Sequence, residues 1–467
     1  MLINGKAVAD GALGEVINPY DGSVIDTVVE GQPEHVEAAV EAAYRALGPM
    51  AELTAYQRSE LLFAAYQALG QRAEEFATAI CQEVGKTIRE ARGEVSRALE
   101  VVRLSSEEAK RFGGEQLPLD GASNGAGKLG FTLRVPAGVV AAIVPFNFPI
   151  VLSAHKLCPA LAAGNTVVLK PPHQAPLAAC NFGQLLQEAG FPAGAVNIVP
   201  GGAEVGDALV RDQRVRVVAF GGSDRTGAIV AQAAGMKKLL LECGSASAVT
   251  VMPSANMEAA LAGCVRGGYG VAGQMCISIQ KVLVQSDVHE RFLAEFVERA
   301  RDLEVGDPRK ETTDMGPVID EAAAARLDSW LAEAQEQGAE LVCGGTRQGN
   351  LFAPTVVTGV TPEMRLFKDE VFGPVVSVMR IGEVAEAIEL TNATRYGLNT
   401  GIFTNQLDEA VAFIRGVHHG SVFVNEISAW RADMMPYGGV KSSGVGREGI
   451  KYAMDAMTEH KVVSIEI

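Results

Sequence analysis

VVAAIV at residues 139–144 is the first of four short apolar runs, and TVVLK at 166–170, VNIVP at 196–200 and VRVVAF at 215–220 follow it. Segments with a helical spacing of apolar residues separate the runs. Continuous Val/Ile runs that alternate with helices are typical of a parallel sheet covered on both faces. We therefore predict an open α/β domain over about residues 136–245, onto which the N-terminal helices pack.

A second series of the same kind follows Gly244. Its apolar segments lie at 281–285, 375–381, 401–404 and 421–426, and its helical segments at 287–303, 320–337 and 406–416. This series predicts a second α/β domain over about 246–440. The fold class is therefore α/β, with two open, Rossmann-like domains. The first domain also takes residues 1–115, with predicted helices at 34–47, 58–80 and 88–112.

The C-terminal segment KVVSIEI at 461–467 alternates apolar and polar residues, as a half-exposed strand does. Its neighbouring strand would have to come from elsewhere, for example from another subunit. The segment is therefore set apart from the two α/β domains.

Charge and cysteine content exclude several classes of protein. The 467 residues include 40 Lys and Arg against 56 Asp and Glu, a net charge of −16, which repels nucleic-acid phosphates and anionic lipids. Seven cysteines without a C-x-x-C pair indicate neither a disulfide framework nor a zinc site, and no metal is predicted.

The first residues lack a signal-peptide core, and the longest apolar stretch, 139–154, is shorter than a membrane span. We expect a cytoplasmic protein with no nucleic-acid or membrane partner.

Three polar residues lie where chemistry is expected. Cys276 follows the glycine-rich segment GGYGVAGQ and precedes an apolar strand, so its backbone N–H can point toward a bound oxygen. Glu242 ends the apolar run LLLE, at the carboxyl end of a strand, where ligand sites of open α/β sheets lie. Asn147 is held among prolines and aromatic residues in VPFNFP. Taken singly, they also fit an inert core cysteine, a buried or capping acid and a turn asparagine.

Together the motifs resemble those of the aldehyde dehydrogenase superfamily, and the resemblance covers essentially the whole chain. The motifs are Asn18-Pro19, PFNFP, Lys170-Pro171, F-x-G-S-x-x-x-G from Phe220 to Gly227, Glu242, Gly273-Gln274-x-Cys276, Glu370-x-Phe372-Gly-Pro and Pro436-Tyr-Gly-Gly-Val-Lys441-x-Ser-Gly444. One such motif would be weak evidence, but eight in the family's order exclude a chance match.

The resemblance implies NAD(P)-dependent oxidation of a small aldehyde to the free carboxylic acid. Cys276 would attack the aldehyde carbon, giving a thiohemiacetal and then a thioester. The amide of Asn147 and the N–H of Cys276 would bind the oxyanion, and Glu242 would activate the hydrolytic water. Relatives that transfer the acyl group to coenzyme A lack a carboxylate at the position of Glu242, so water is the favoured acceptor. The alternatives are a CoA-acylating enzyme and a non-enzymatic protein on the same scaffold.

By the same resemblance, the cofactor contacts are Phe146, Lys170, His173, Gly222, Ser223, Glu370 and Phe372. Lys170 and Glu370 would hold the two riboses, and the Gly222-Ser223 turn would lie near the pyrophosphate at a helix start. Many NAD-using relatives have a glutamate where this chain has His173. A histidine does not repel a 2′-phosphate, so the cofactor is predicted to be NAD or NADP.

The stretch from Arg431 to Lys441 resembles the branch of lactaldehyde, phosphonoacetaldehyde and non-phosphorylating glyceraldehyde-3-phosphate dehydrogenases. Arginine can bind a carboxylate, phosphate or phosphonate bidentately. Candidate substrate residues are therefore Arg431, Arg103 and His155, together with Met275 before the nucleophile. Arg103 could instead be a solvated helix charge and His155 a satisfied buried histidine. Met275 replaces an arginine of the phosphonoacetaldehyde enzyme and weakens that reading, which leaves a small hydroxy- or anionic aldehyde.

The family also forms dimers and tetramers through a hairpin and a C-terminal strand. In this chain the hairpin maps near 116–135 and the strand lies within 441–467. The resemblance thus implies a small β oligomerisation element from these two segments, and a homodimer or homotetramer.

Overall fold

The structure, a computed structural model, describes all residues from 1 to 467. Its helices are α1 Pro33–Glu52, α2 Ala55–Gln71, α3 Ala73–Val84, α4 Ile88–Ala109, α5 Pro149–Ala162, α6 Leu177–Glu188, α7 Ala203–Arg211, α8 Asp224–Ala234, α9 Met257–Tyr269, α10 Ser286–Arg301, α11 Glu321–Glu336, α12 Arg365–Lys368, α13 Val384–Asn392, α14 Leu407–Gly416 and α15 Ile450–Ala456. Its strands are β1 Leu2–Ile3, β2 Lys6–Ala7, β3 Leu13–Ile17, β4 Val24–Val29, β5 Gln116–Leu117, β6 Lys128–Pro136, β7 Val139–Ile143, β8 Thr166–Lys170, β9 Val196–Ile198, β10 Val215–Gly221, β11 Lys238–Glu242, β12 Ala248–Val251, β13 Lys281–Gln285, β14 Glu340–Cys343, β15 Arg347–Gln348, β16 Leu351–Phe352, β17 Thr355–Thr358, β18 Val375–Ile381, β19 Asn399–Phe403, β20 Ser421–Val424, β21 Gly444–Val445 and β22 Thr458–Glu466.

The first sheet has the strand order β2-β1-β9-β8-β7-β10-β11-β21. Its five central strands are parallel, and β1 and β21 pair antiparallel with β9 and β11. Every residue of β7 and β8 is buried, because one apolar core lies on each face of the sheet. The four apolar runs therefore form adjacent parallel strands, as the sequence predicts.

The second sheet has the order β14-β17-β18-β13-β12-β19-β20, and all of its pairs except β14–β17 are parallel. A separate core of buried residues surrounds it. The predicted α/β class with two parallel, Rossmann-like sheets is confirmed. The domain boundaries stay a prediction.

The C-terminal strand corrects one expectation. β22 pairs antiparallel with β6 of the same chain, from Thr458 opposite Pro136 to Glu466 opposite Lys128, and β5 extends this third sheet. The neighbour of the tail is therefore an earlier strand of the same chain, more than 300 positions away. A pairing between such distant segments leaves no local signal in the sequence.

Two predicted helices also differ in extent. The segment predicted as one helix over 58–80 contains a break at Arg72 (φ −107°, ψ 16°), which ends α2 and begins α3. Apolar periodicity misses the break because both helices bury their apolar sides in the same core. The helix predicted to reach residue 112 ends at Ala109. No helix in the structure is long and apolar enough to cross a membrane.

Candidate active site

A cavity of about 1370 Å³ opens at the carboxyl edge of the first sheet. The ends of β7, β8, β10 and β11 meet there because parallel strands end at one edge. Ten of the residues predicted from the sequence line this cavity, namely Phe146, Asn147, Lys170, His173, Gly222, Ser223, Glu242, Cys276, Glu370 and Phe372. The structure thus brings together every predicted catalytic and cofactor residue.

Cys276 lies on a tight loop between α9 and β13. Val271 and Ala272 adopt left-handed backbone angles (φ 53° and 52°), and Gly273 has φ 70°. A Cβ on Gly273 would lie 2.1 Å from the carbonyl oxygen of Gly373, so this close approach needs a glycine. The loop holds the Cys276 thiol in the cavity wall.

The thiol of Cys276 and the carboxyl of Glu242 share one neighbour, the hydroxyl of Tyr437. Tyr437 Oη lies 3.2 Å from Cys276 Sγ and donates to Glu242 Oε1 at 3.2 Å. Burial, and then the Glu242 carboxylate, raise the pKa of the thiol. Burial, and then the carboxylate of Glu448, raise the pKa of Glu242. Burial and like charge therefore disfavour a thiolate and a carboxylate that are present in the site at the same time.

Asn147 ties the end of β7 to the cysteine loop. Its Nδ2 donates to the carbonyl oxygen of Gln274 at 2.9 Å, and its Oδ1 is buried without a hydrogen-bond partner. The second N–H of the amide is not used by the protein. The amide is therefore held in place with one donor free for a bound oxygen.

The cofactor side of the cavity offers groups suited to a dinucleotide. Lys170 is buried, forms no salt bridge and donates to the carbonyl of Pro171 at 3.2 Å; burial lowers its pKa to about 8. Ser223 caps the N-terminus of α8 by accepting from the N–H of Thr226, next to Gly222, so positive dipole faces the cavity.

The opposite wall carries a carboxyl and an aromatic pair. Glu370 accepts from the N–H of Ser245 at 3.0 Å, and burial raises its pKa to about 8. Phe372 lies edge-on to Phe146, with ring centroids 5.8 Å apart. His173 is exposed at the rim, 3.8 Å from the Glu30 carboxylate. A lysine and a carboxyl that can bind hydroxyl groups, a helix N-terminus that favours anions and an aromatic pair together fit a nicotinamide dinucleotide.

The substrate candidates lie outside this wall. Arg431 and His155 are brought together, since Arg431 Nη2 lies 3.0 Å from His155 Nε2. Arg431 is buried, with Glu448 at 3.1 Å and Asp433 at 3.6 Å. The structure does not support Arg431 as a free anion clamp, because these two carboxylates already neutralise it.

The other three substrate candidates, His155, Met275 and Arg103, lie in different surroundings. His155 is buried against Asp433 at 2.9 Å, and burial, followed by the charge of Arg431, lowers its pKa to about 4. Met275 is half-buried beside Cys276 and packs against the small apolar cluster of Ile277, Leu398 and Tyr437. Arg103 is not brought to the site, because its side chain is half exposed on α4 and its nearest charge is Glu107 at 3.8 Å.

Comparison with known proteins decides the family. The model of the aldehyde dehydrogenase family matches residues 8–463. This chain belongs to the aldehyde dehydrogenase family. A 3-sulfolactaldehyde dehydrogenase of Priestia aryabhattai is 41% identical over 468 residues, covering 100% of this chain and 98% of the relative. A lactaldehyde dehydrogenase of Methanocaldococcus jannaschii is 36% identical and covers both chains fully.

Among solved structures, glyceraldehyde-3-phosphate dehydrogenase GapN from Methanocaldococcus jannaschii, complexed with NADP, has a TM-score of 0.94. It is 36% identical and covers 97% of this chain and 99% of that one. This aldehyde dehydrogenase is an NAD(P)-dependent enzyme that oxidises small aldehydes.

Sequence reasoning missed two residues of this aldehyde dehydrogenase. Tyr437 was part of a family motif, but no local signal connects it with Cys276, 161 positions earlier. Arg97, six positions before Arg103 on α4, binds Asp433 through two hydrogen bonds of 2.6 and 3.0 Å. Helical periodicity could have indicated that Arg97 faces the interior. Glu94, one turn before it, and Ala98, next to it in the sequence, are both buried.

Proposed function

We propose that Cys276 is the nucleophile of aldehyde oxidation. The observation that carries this proposal is the convergence of Cys276, Asn147, Glu242 and Tyr437 at one end of the cofactor cavity. The thiolate attacks the aldehyde carbon. The resulting oxyanion accepts hydrogen bonds from the free N–H of Asn147 and the backbone N–H of Cys276. One such donor is worth a factor of roughly 10²–10³ in rate.

We also propose which residues contact the cofactor, from the sequence motifs and the geometry of the cavity together. Lys170 and Glu370 hold ribose hydroxyls, the N-terminus of α8 binds the diphosphate, and Phe372 packs near the nicotinamide. When bound, NAD(P)⁺ accepts the hydride. Neither His173 nor Lys170 repels a 2′-phosphate at the adenosine end.

The acyl acceptor is proposed to be water. Glu242 has a raised pKa, which makes its carboxylate a stronger base for activating the water that hydrolyses the thioester. The product is then the free acid. Transfer to coenzyme A remains the competing outcome, and product analysis with and without coenzyme A distinguishes the two.

Cys276→Ser tests the covalent mechanism. Oxidation should fall below detection while NAD(P)⁺ binding, followed by fluorescence titration, stays at the wild-type level. Cys180→Ser is the matched control, because Cys180 is half-buried in α6 and does not line the cavity. Substantial oxidation by Cys276→Ser would refute the mechanism.

The substrate is proposed to be a small hydroxy- or anionic aldehyde. Two relatives are named for sulfolactaldehyde and lactaldehyde. Within the cluster around Asp433, Arg97 is the member that solvent reaches, with a side-chain exposure of 34%, whereas His155 and Arg431 are buried. Arg97 donates to Asp433 through Nε and Nη2 only, so its Nη1 stays available to an anionic substituent that approaches from solvent.

Arg97→Gln tests this substrate assignment. For the anion 3-sulfolactaldehyde, kcat/KM should fall about ten- to a hundredfold, the value of one charge-assisted hydrogen bond. For lactaldehyde, its neutral counterpart, the change should stay within about threefold of the wild type. Arg103→Gln, on the same helix but outside the site, should leave both unchanged. Equal losses for the two aldehydes would contradict the assignment.

The third sheet is proposed as an oligomerisation surface. Leu129 and Leu133 on β6 and Ile465 on β22 are exposed large apolar side chains on this sheet. Burying them in a homodimer or homotetramer would remove them from water. Sedimentation equilibrium at micromolar concentration should return a multiple of the chain mass, and a monomer mass would refute the proposal.

A further inference from the structure

Tyr437 lies between the proposed nucleophile Cys276 and the proposed base Glu242. Its side chain is fully buried, and its hydroxyl lies 3.2 Å from both Cys276 Sγ and Glu242 Oε1. A phenol has one proton and can donate to only one of these atoms at a time. The three groups therefore form a directional chain, in which the thiol donates to Oη and Oη donates to the carboxylate.

The surroundings of Tyr437 hold this chain in place. Its backbone pairs with Glu448 through two hydrogen bonds. The guanidinium of Arg431 lies over its ring, 3.8 Å from the centroid, and is fixed there by Glu448. The cation over the ring stabilises negative charge that develops on the phenol oxygen. The hydroxyl is therefore a stronger hydrogen-bond donor. Arg431, expected from the sequence to bind substrate, thus positions Tyr437 instead.

We propose that Tyr437 is a catalytic residue that carries the proton of the Cys276 thiol to Glu242. The S–H bond of Cys276 breaks as its proton passes to Oη of Tyr437. The original Oη proton passes to Oε1 of Glu242 at the same time. The products are a thiolate, an unchanged phenol and a neutral carboxylic acid, so protons and charge balance. Glu242, which lines the open cavity, releases this proton to solvent before its carboxylate activates the hydrolytic water. This proposal rests on the proposed nucleophilic role of Cys276.

The relay also reverses the hydrogen bonds. After the transfer, the phenol donates to the thiolate, and the neutral Glu242 donates to Oη. Tyr437 therefore activates the nucleophile twice, first by conducting its proton and then by stabilising the anion that remains. Hydrogen bonds to a charged group are stronger than those between neutral groups.

The pH dependence of Cys276 alkylation tests the relay. Iodoacetamide reacts with the thiolate, and mass spectrometry of the Cys276 peptide separates it from the other six cysteines. In Tyr437→Phe, the midpoint should rise by about one pH unit, and alkylation at pH 7 should slow about tenfold. Tyr269→Phe is the matched control, because Tyr269 is equally buried but donates to the carbonyl of Thr355.

A second replacement makes the test independent of folding defects. A 3-fluorotyrosine at position 437 keeps the shape and has a more acidic hydroxyl, so the alkylation midpoint should fall below the wild-type value. The order phenylalanine, tyrosine, fluorotyrosine from highest to lowest midpoint supports the relay. A wild-type midpoint in Tyr437→Phe, or any other order, overturns it.

Failure of the relay and failure of the proposed function are distinguishable. If Cys276→Ser still oxidises aldehydes, the nucleophile assignment is wrong whatever the alkylation profiles show. If Cys276→Ser is inactive and Tyr437→Phe titrates like the wild type, Cys276 keeps its role and only the relay is wrong.

Discussion

A buried ion pair lies at the first turn of α5. Lys86 Nζ and Glu94 Oε2 are 2.5 Å apart, and both side chains are fully buried. Glu94 Oε1 also accepts from the N–H groups of Ile150 and Val151, in the first turn of the helix that follows Asn147. We predict that Glu94→Gln destabilises the protein, because the ammonium of Lys86 loses the carboxylate that pairs with it while it stays buried.

The magnitude follows from two limits. Breaking one partner of a buried pair costs roughly 3–5 kcal/mol. The cost is also limited by deprotonation of Lys86, which at pH 7 requires about 4.6 kcal/mol for a lysine of ordinary pKa. Burial already lowers the pKa of Lys86. The unfolding free energy of Glu94→Gln at pH 7 should therefore fall by about 3–5 kcal/mol.

The pH dependence has a definite sign. In Glu94→Gln the folded-state pKa of Lys86 lies further below its unfolded value, so the unfolded chain binds more protons and stability rises with pH. Between pH 7 and 9 the deficit relative to wild type should shrink by up to about 1.4 kcal/mol per pH unit.

Urea unfolding at pH 7, 8 and 9, fitted by linear extrapolation, measures this deficit. Glu100→Gln is the control, because Glu100 is exposed on the same helix, and its effect should stay within about 0.5 kcal/mol. Lys86→Met combined with Glu94→Gln should recover part of the loss, since no charge then stays unpaired. A deficit below about 1 kcal/mol, or one independent of pH, would refute the reasoning.

Two further predictions concern the cavity. Gly273→Ala should lower kcat more than about tenfold, because its Cβ would strike the Gly373 carbonyl and move the Cys276 loop. Gly338→Ala, at φ +99° with open space around it, should leave kcat unchanged, and equal losses in both would point to general strain. Lys170→Met should raise the KM for NAD(P)⁺ about tenfold. In the wild type that KM should rise above pH 8 as Lys170, with a pKa of about 8, loses its proton, and a flat profile would contradict a charged contact.

Much of the cofactor cavity could be predicted because its chemistry lies in local sequence. Lys170 and Glu242 end apolar runs, and Asn147 and Ser223 each come three residues after one. Parallel strands place their carboxyl ends at one edge, so residues after successive runs converge without further information. Cys276 could be found for the related reason that its glycine-rich loop has a local signature.

The substrate side could not be predicted in the same way. Arg431 has the right chemistry in the sequence, yet its neighbours in space are Glu448, Asp433 and the ring of Tyr437. Burial and two nearby carboxylates change what an arginine can do, and neither is visible in a linear motif.

The sequence by itself determined the two α/β series, the family and the residues at the edge of the first sheet, because apolar periodicity and glycine-rich loops are local properties. Tertiary structure alone decided that β22 pairs with β6, that Tyr437 lies between Cys276 and Glu242, and that Arg431 is neutralised. These contacts join residues from 17 to more than 300 positions apart. They depend on the packing and register of the whole fold, which single segments do not encode.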